Sequence, residues 1–283
     1  MTLDEMKCLA GTLGFRLYHL AEIDHGVLRA VDGEPSNACQ NSYSVAKAFT
    51  MTAVGMLSDR GLLRVEDPVW PLFEQELPAD CDPRWRQVTF GNALTHRIGF
   101  GKGFLDIDVE DVSAYGTVDY LSLVLRHPLD YDPGTREVYS DAAFYLLSRA
   151  VGRVLGEPMD NFLLRELFTP LGFQEVAWSH CPHGSPMGAT GLYIRAQDMV
   201  KLGELYLRGG VWNGKRILSE DWVALALREG YELRPVGKGY GKGGMNGQML
   251  YVCPGSERVI AWHGYDPDGA AAGAFLRAVE ENI

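Results

Sequence analysis

A serine and a lysine stand three residues apart in the segment Tyr43-Ser44-Val45-Ala46-Lys47. Residues i and i+3 lie on the same face of a helix, so Lys47 can approach the Ser44 hydroxyl if a helix begins there. A serine hydroxyl is a weak nucleophile and needs a base within hydrogen-bond reach. A lysine can serve when it is neutral part of the time, and burial lowers a lysine pKa in that direction. The pair therefore indicates nucleophilic catalysis, with backbone N–H groups at the helix start available to stabilise an oxyanion.

The Ser-x-x-Lys pattern has an alternative interpretation, because about one chance match is expected in a chain of this size. A serine at the start of a helix is also an ordinary N-cap. The stretch from Ser44 to Asp59 is apolar on nearly every face and predicts a buried helix that ends at Gly61. A lysine inside such a helix is costly unless it has a role, and this favours the catalytic interpretation of Lys47.

A second candidate group is Tyr139-Ser140-Asp141, which directly precedes a helix predicted over 141–155. A tyrosine held on a loop beside the serine and lysine can act as a general acid or base. Asp141 can orient Lys47 and accept hydrogen bonds from a substrate. The alternative is that Ser140 or Asp141 only caps the following helix.

A third candidate group is Lys242-Gly243-Gly244-Met245, which precedes a predicted β-strand. Glycine at a strand edge lets a ligand come close to the backbone, and the N–H of Met245 can form half of an oxyanion hole. The alternatives are a flexible glycine-rich turn, and Lys238 as the functional lysine in place of Lys242.

The order of these three groups is typical of β-lactamases and penicillin-binding proteins. The chain resembles the serine β-lactamase-related family, in particular the branch of class C β-lactamases, DD-peptidases and family VIII esterases. The resemblance extends over nearly the whole chain. Asn92–His96 resembles the family's LLTHTSG loop, 138–147 resembles YSNxgyxLL, and 188–198 with 209–215 resembles GLxxTxxDLxxFG…GGxxNGK.

This resemblance implies a role for each motif residue. Ser44 would be acylated, and Lys47 and Tyr139 would share the proton transfer. Lys242 would position a substrate carboxylate or tune Tyr139, and the backbone N–H groups of Ser44 and Met245 would form the oxyanion hole. The resemblance also implies a covalent acyl-enzyme and no metal or other cofactor.

The chain departs from the family pattern at two motif positions. Asp141 stands where asparagine is usual, and a carboxylate near Lys47 would favour the charged lysine. Gly243 stands where threonine or serine is common, which removes a hydroxyl that holds a carboxylate. We therefore expect weak β-lactamase activity or none, and an esterase, amidase or peptidase acting on a small-molecule or peptide-like substrate. The alternative is a non-catalytic ligand- or peptide-binding protein on the same fold.

The outline of the chain is helix and strands, then a helical middle, then strands and a final helix. This order predicts an α/β sheet region made from both chain ends, 1–62 and 212–283, with a mostly helical region, 63–211, inserted between them. The resemblance implies the β-lactamase/DD-peptidase-like fold, an α/β plus all-α arrangement whose antiparallel sheet is flanked by the terminal helices.

Composition limits the remaining classes of function. The formal net charge is −11 with no basic run, so a nucleic-acid partner is not expected. The chain has five cysteines and no CxxC pair, which predicts no disulfide framework and favours the cytoplasm. No stretch predicts a membrane span. The loop His180–His183 lacks a second ligand cluster, so no metal site is expected. The oligomeric state is open.

Overall fold

The computed structural model describes residues 1–116 and 119–283. Its helices are α1 Leu3–Thr12, α2 Ala46–Asp59, α3 Phe90–Leu94, α4 Tyr120–Arg126, α5 Asp141–Leu155, α6 Met159–Leu163, α7 Ala196–Leu207, α8 Glu220–Glu229 and α9 Ala270–Glu281. Its strands are β1 Arg16–Asp24, β2 Val27–Asp32, β3 Gln40–Asn41, β4 Val176–Trp178, β5 Leu192–Ile194, β6 Val211–Trp212, β7 Lys215–Arg216, β8 Arg234–Val236, β9 Gly239–Gly243, β10 Met249–Cys253 and β11 Arg258–Tyr265. The helix predicted over 141–155 is confirmed at both ends.

The described chain divides into two compact units. The first consists of Met1–Ala48, Leu167–Ala177 and Leu192–Ile283. The second consists of Phe49–Glu166 and Trp178–Gly191. The division that the sequence predicts after residues 62 and 211 stays a prediction.

The first unit is built on a six-stranded antiparallel sheet with the order β2-β1-β11-β10-β9-β8. All five residues of β10 are buried, and alternate side chains point to opposite faces. Met249 and Tyr251 join a core with the apolar faces of α1 and α9. Leu250 and Val252 lie against Gly203 of α7 on the other face, where glycine lets the helix approach closely. The predicted antiparallel sheet flanked by terminal helices is confirmed.

The second unit is mostly helical and is organised around α5. Helices α3, α4 and α6 pack against α5, and ten of its fifteen residues are buried. The helix ends at Gly156, whose φ of 72° is the left-handed conformation that glycine adopts at low cost. At its other end Ser140 occupies the N-cap position without a capping bond from its side chain, and Asp141 is the first helical residue. The chain thus brings Tyr139 and Asp141 to the N-terminal end of α5.

Within the described ranges, none of the helices combines the length and apolar character that crossing a bilayer requires. All five cysteines carry free thiols. The cytoplasmic location stays a prediction.

Candidate active site

The predicted nucleophile lies in a short turn that leads into α2. Ser44 is the middle residue of the 3₁₀ turn Tyr43–Val45, and Lys47 is the second residue of α2. The helix therefore begins two residues later than the sequence predicts, because a 3₁₀ turn precedes it. The Lys47 Nζ donates a hydrogen bond to the Ser44 Oγ at 3.1 Å. Lys47 is fully buried and Ser44 is partly exposed, so the hydroxyl lies between the amine and the surface.

The backbone before Ser44 is held in an unusual conformation. Tyr43 has a φ of 48°, in the left-handed region that non-glycine residues seldom adopt. Its N–H donates to the Asn41 Oδ1 at 2.9 Å. The N–H and the hydroxyl of Ser42 both donate to the Leu192 carbonyl, at 2.8 and 2.9 Å. Such a conformation costs about 1–3 kcal/mol and persists where surrounding bonds fix it, often at a functional site.

A tight turn after β9 packs on the same segment. The Gly244 N–H donates to the Gln248 carbonyl at 2.8 Å, and the Gly247 N–H donates to the Gly244 carbonyl at 3.2 Å. These two bonds close the turn without using the N–H of Met245. A Cβ on Gly244 would lie 2.9 Å from the Ser42 carbonyl oxygen, so only glycine permits this approach. The turn that carries Met245 therefore lies against the residues that lead to the nucleophile.

Lys242 lies in β9, which packs beside the turn Tyr43–Val45. Its ammonium forms an ion pair with the carboxylate of Glu232, a residue whose side chain is fully buried. Only 10% of the Lys242 side chain is exposed. Lys238 is exposed in the turn between β8 and β9. Of the two lysines that the sequence leaves open, Lys242 is the one in the strand beside the nucleophile turn.

Tyr139 lies in the second unit and has a half-exposed ring, with 44% of the residue accessible. The ring packs on the buried His96, with a distance of 4.4 Å between ring centroids. The Nδ1 of His96 accepts a hydrogen bond from the Ser140 N–H at 3.2 Å, and its carbonyl accepts one from the Val138 N–H at 2.9 Å. His96 therefore fixes the backbone on both sides of Tyr139 and supports its ring.

Asp141 has two acidic neighbours that the sequence analysis did not identify. The carboxylates of Asp106, Asp108 and Asp141 each have an oxygen within 4.8 Å of the other two. Carboxylate oxygens are the donors that hard cations such as Mg²⁺ and Ca²⁺ prefer. In the part of the chain that the structure describes, these three aspartates are the group of side chains placed to hold a metal ion. The described residues of the loop His180–His183 do not form such a group.

The predicted site residues fall into two groups. The first unit contains Ser44, Lys47, Lys242, Gly244 and Met245. The second unit contains Tyr139 and Asp141. Their assigned roles stay predictions.

Sequence reasoning missed Glu232 and His96. Glu232 stands between a tyrosine and a leucine in the chain, and no local pattern connects it to Lys242. His96 belongs to the stretch that resembles the LLTHTSG loop, and this resemblance was the signal that could have identified it.

The beta-lactamase family model matches residues 26–282 of the chain. Penicillin-binding protein 4 of Amycolatopsis lactamdurans is 30% identical over 293 residues, and the alignment covers 92% of this chain and 74% of that protein. The chain spans 53% and 32% of the length of two further relatives, both from Bacillus subtilis (strain 168).

Solved structures share the fold at low sequence identity. A family VIII carboxylesterase aligns with a TM-score of 0.76 and 16% identity, over 99% of this chain and 96% of its own. A penicillin-binding protein from Bacillus halodurans aligns with a TM-score of 0.72 and 18% identity, over 97% of this chain and 99% of its own.

Proposed function

Because the chain belongs to the beta-lactamase family, we propose that it is a serine hydrolase that cleaves an ester or amide through a covalent acyl-enzyme on Ser44. The observation that carries this proposal is the 3.1 Å hydrogen bond between the buried Lys47 Nζ and the Ser44 Oγ. A base in contact with a partly exposed hydroxyl is the arrangement that activates a serine nucleophile.

In the proposed acylation step, the Ser44 oxygen attacks the substrate carbonyl carbon and its proton passes to neutral Lys47. The carbonyl electron pair moves onto the oxygen, which accepts hydrogen bonds from the backbone N–H groups of Ser44 and Met245. Collapse of this tetrahedral intermediate breaks the bond to the leaving group. The leaving alkoxide or amine takes up the proton, so the active site returns to its initial charge.

In the proposed deacylation step, water attacks the acyl carbon and its proton passes to neutral Lys47. The bond to the Ser44 oxygen then breaks, the Ser44 oxygen takes the proton back from Lys47, and the carboxylic acid and free Ser44 are released. We assign Tyr139 a share in proton transfer during both steps. The exposure of its ring and the support of that ring by His96 favour this role. Proton transfer by a positioned side chain contributes about 10²–10⁴-fold to rate.

We further propose that the substrate is a small molecule or peptide-like compound, and that β-lactams are hydrolysed weakly or not at all. Asp141 and Gly243 support this proposal, because they replace an amide and a hydroxyl with a carboxylate and a hydrogen atom. The family VIII carboxylesterase that shares the fold makes short acyl esters sensible first substrates.

Intact-mass spectrometry after incubation with a fluorophosphonate, an activated nitrophenyl ester and a penicillin tests the proposal. We expect one fluorophosphonate adduct, located by peptide mapping on Ser44, together with turnover of the nitrophenyl ester. Ser44→Ala should lose both, whereas Ser58→Ala, in the last turn of the same helix, should keep both. If Ser44→Ala cleaves the ester as fast as the wild type, the assignment of the nucleophile is wrong.

The same experiment distinguishes the hydrolase from the alternative, a non-catalytic binding protein. That alternative predicts no covalent adduct with any of the three reagents, and a saturable rise in melting temperature with a ligand. A stable penicillin adduct without turnover would instead indicate a penicillin-binding protein that acylates and does not deacylate.

A further inference from the structure

The charge of Lys242 is already compensated inside the protein. Its ammonium contacts the carboxylate of Glu232, whose side chain has no exposed surface. A buried carboxylate is costly unless it is paired, so the Glu232 side chain cannot release the lysine without a large penalty. The resemblance implies that Lys242 positions a substrate carboxylate or tunes Tyr139. In this chain a substrate anion would meet a lysine that is already neutralised, and a second negative charge close behind it.

Gly243, next to Lys242, lacks the hydroxyl that would help to bind a substrate carboxylate. The space around Gly243 does not require glycine. A Cβ on Gly243 would meet nothing closer than 3.7 Å. By contrast, a Cβ on Gly241 would lie 2.4 Å from the Leu250 carbonyl oxygen. Packing therefore requires glycine at position 241. Position 243 has room for a larger side chain beside Lys242.

We propose that Glu232 sets the charge preference of this site. The enzyme then takes an ester or amide that has no charge at the position where a carboxylate-bearing substrate of the family would present its carboxylate. This inference rests on the proposed function, and it names the substrate class. It is independent of which residue acts as the base. Like charges brought together at a binding site cost several kcal/mol, so the paired lysine discriminates against the acid form.

A matched pair of thioesters tests this preference. Benzoylglycyl thioglycolate has a carboxylate on its leaving group, and its methyl ester has the same acyl group and a thiol leaving group without that charge. Because the uncharged thiol is the better leaving group, each kcat/KM is divided by the rate constant of hydroxide-catalysed hydrolysis of the same thioester. Thiol release by the wild-type enzyme gives kcat/KM for each. We expect the methyl ester to be preferred by about tenfold or more.

Two substitutions should weaken the preference. Glu232→Gln keeps the shape of the side chain and removes its charge, so the ratio of acid to ester kcat/KM should rise by about tenfold. Gly243→Thr supplies the missing hydroxyl and should raise the same ratio further when the two are combined. Glu22→Gln, which removes a carboxylate paired with Arg258 in another buried ion pair of this unit, is the control and should leave the ratio unchanged.

The outcomes are distinguishable from failure of the proposed function. If thiol release from both thioesters disappears in Ser44→Ala, the hydrolase assignment stands whatever their ratio. A wild-type preference for the acid, or a ratio that Glu232→Gln changes no more than Glu22→Gln does, overturns the role of Glu232. A purely structural role for the ion pair would lower both rates together. Should Glu232→Gln fail to fold, Gly243→Thr alone decides the question. The paired Lys242 should keep the methyl ester preferred despite the added hydroxyl, and a preference for the acid in this variant would overturn the role of Glu232.

Discussion

The amine of Lys47 lies 3.1 Å from the hydroxyl of Ser44, across one turn at the start of α2. The lysine has no exposed surface, and its neighbours in the helix are mostly apolar. A second lysine three residues from its partner provides a comparison, because the Lys201 Nζ lies 2.7 Å from the carboxylate of Asp198 in α7. Lys201 neutralises a buried acid, which suits it to a role in stability. Lys47 donates to the hydroxyl of the proposed nucleophile, and this is the contact that proton transfer would use.

Lys47→Met is expected to lower kcat by about 10²–10⁴-fold, because it removes the proposed base while keeping a side chain of similar length. The free energy of unfolding should not fall, since an apolar side chain replaces a buried amine. The measurements are nitrophenyl ester kinetics and urea denaturation. Lys201→Met is the matched control, and it should lower stability while leaving kcat near the wild-type value. Full activity in Lys47→Met would contradict the proposed role, whatever its stability.

Tyr139→Phe is expected to lower kcat by about 10²–10⁴-fold with little change in melting temperature. The phenylalanine ring keeps the packing on His96, and only the hydroxyl is lost. Tyr131→Phe in the same unit removes a hydroxyl that accepts a hydrogen bond from Arg136 at 2.7 Å, and it should leave kcat unchanged. Equal kinetics for both variants would remove Tyr139 from the mechanism.

The adjacent glycines at the end of β9, Gly243 in the strand and Gly244 in the turn, should respond differently to alanine. Gly244→Ala places a Cβ 2.7 Å from the Gln248 Oε1 and 2.9 Å from the Ser42 carbonyl oxygen. We expect it to cost about 1–3 kcal/mol of stability and to lower kcat/KM, because the turn carrying Met245 must shift. Gly243→Ala meets no such contact and should change stability by less than about 0.5 kcal/mol. Denaturation and ester kinetics on both variants check this, and a tolerated Gly244→Ala would show that the turn position is not critical.

Local sequence signals predicted the regular elements well. The apolar positions Phe144, Leu147, Val151 and Leu155 lie along one face of a helix, and they predicted the helix over 141–155 that the structure contains as α5. The short, β-rich run Met249–Cys253 predicted β10, and its continuous apolar character fits a strand with both faces buried. In both cases the side chains within the segment and its immediate neighbours determine the structure.

The sequence could not predict the contacts made between elements. β9 contains three glycines in five residues, and it is a strand because β10 and β8 supply hydrogen bonds on both sides. The ion pair between Lys242 and Glu232 depends on the same pairing. The cluster of carboxylates formed by Asp106, Asp108 and Asp141 similarly depends on how a loop packs against the start of α5. These features follow from packing that no local pattern records.

His263 gives a prediction about the dependence of stability on pH. It lies in β11 opposite His19 and is completely buried. Burial, and to a lesser extent the charge of His19, lowers the pKa of His263 to about 3, from an ordinary value of 6.5. The folded protein therefore keeps His263 neutral at pH values where the unfolded chain binds a proton. Above pH 6.5 the residue adds no dependence on pH, and below it the unfolded state is favoured progressively until pH approaches 3.

The expected contribution is a loss of about 1.4 kcal/mol of stability per pH unit between pH 6 and pH 4. His263→Leu removes the titrating group, so its free energy of unfolding should fall less steeply over this interval. Urea denaturation at pH 7.5, 6 and 5 measures the difference between the two slopes. His25→Leu, at an exposed histidine, should follow the wild-type slope. Parallel slopes for the wild type and His263→Leu would mean that the folded protein accommodates the protonated ring, against the effect of its burial.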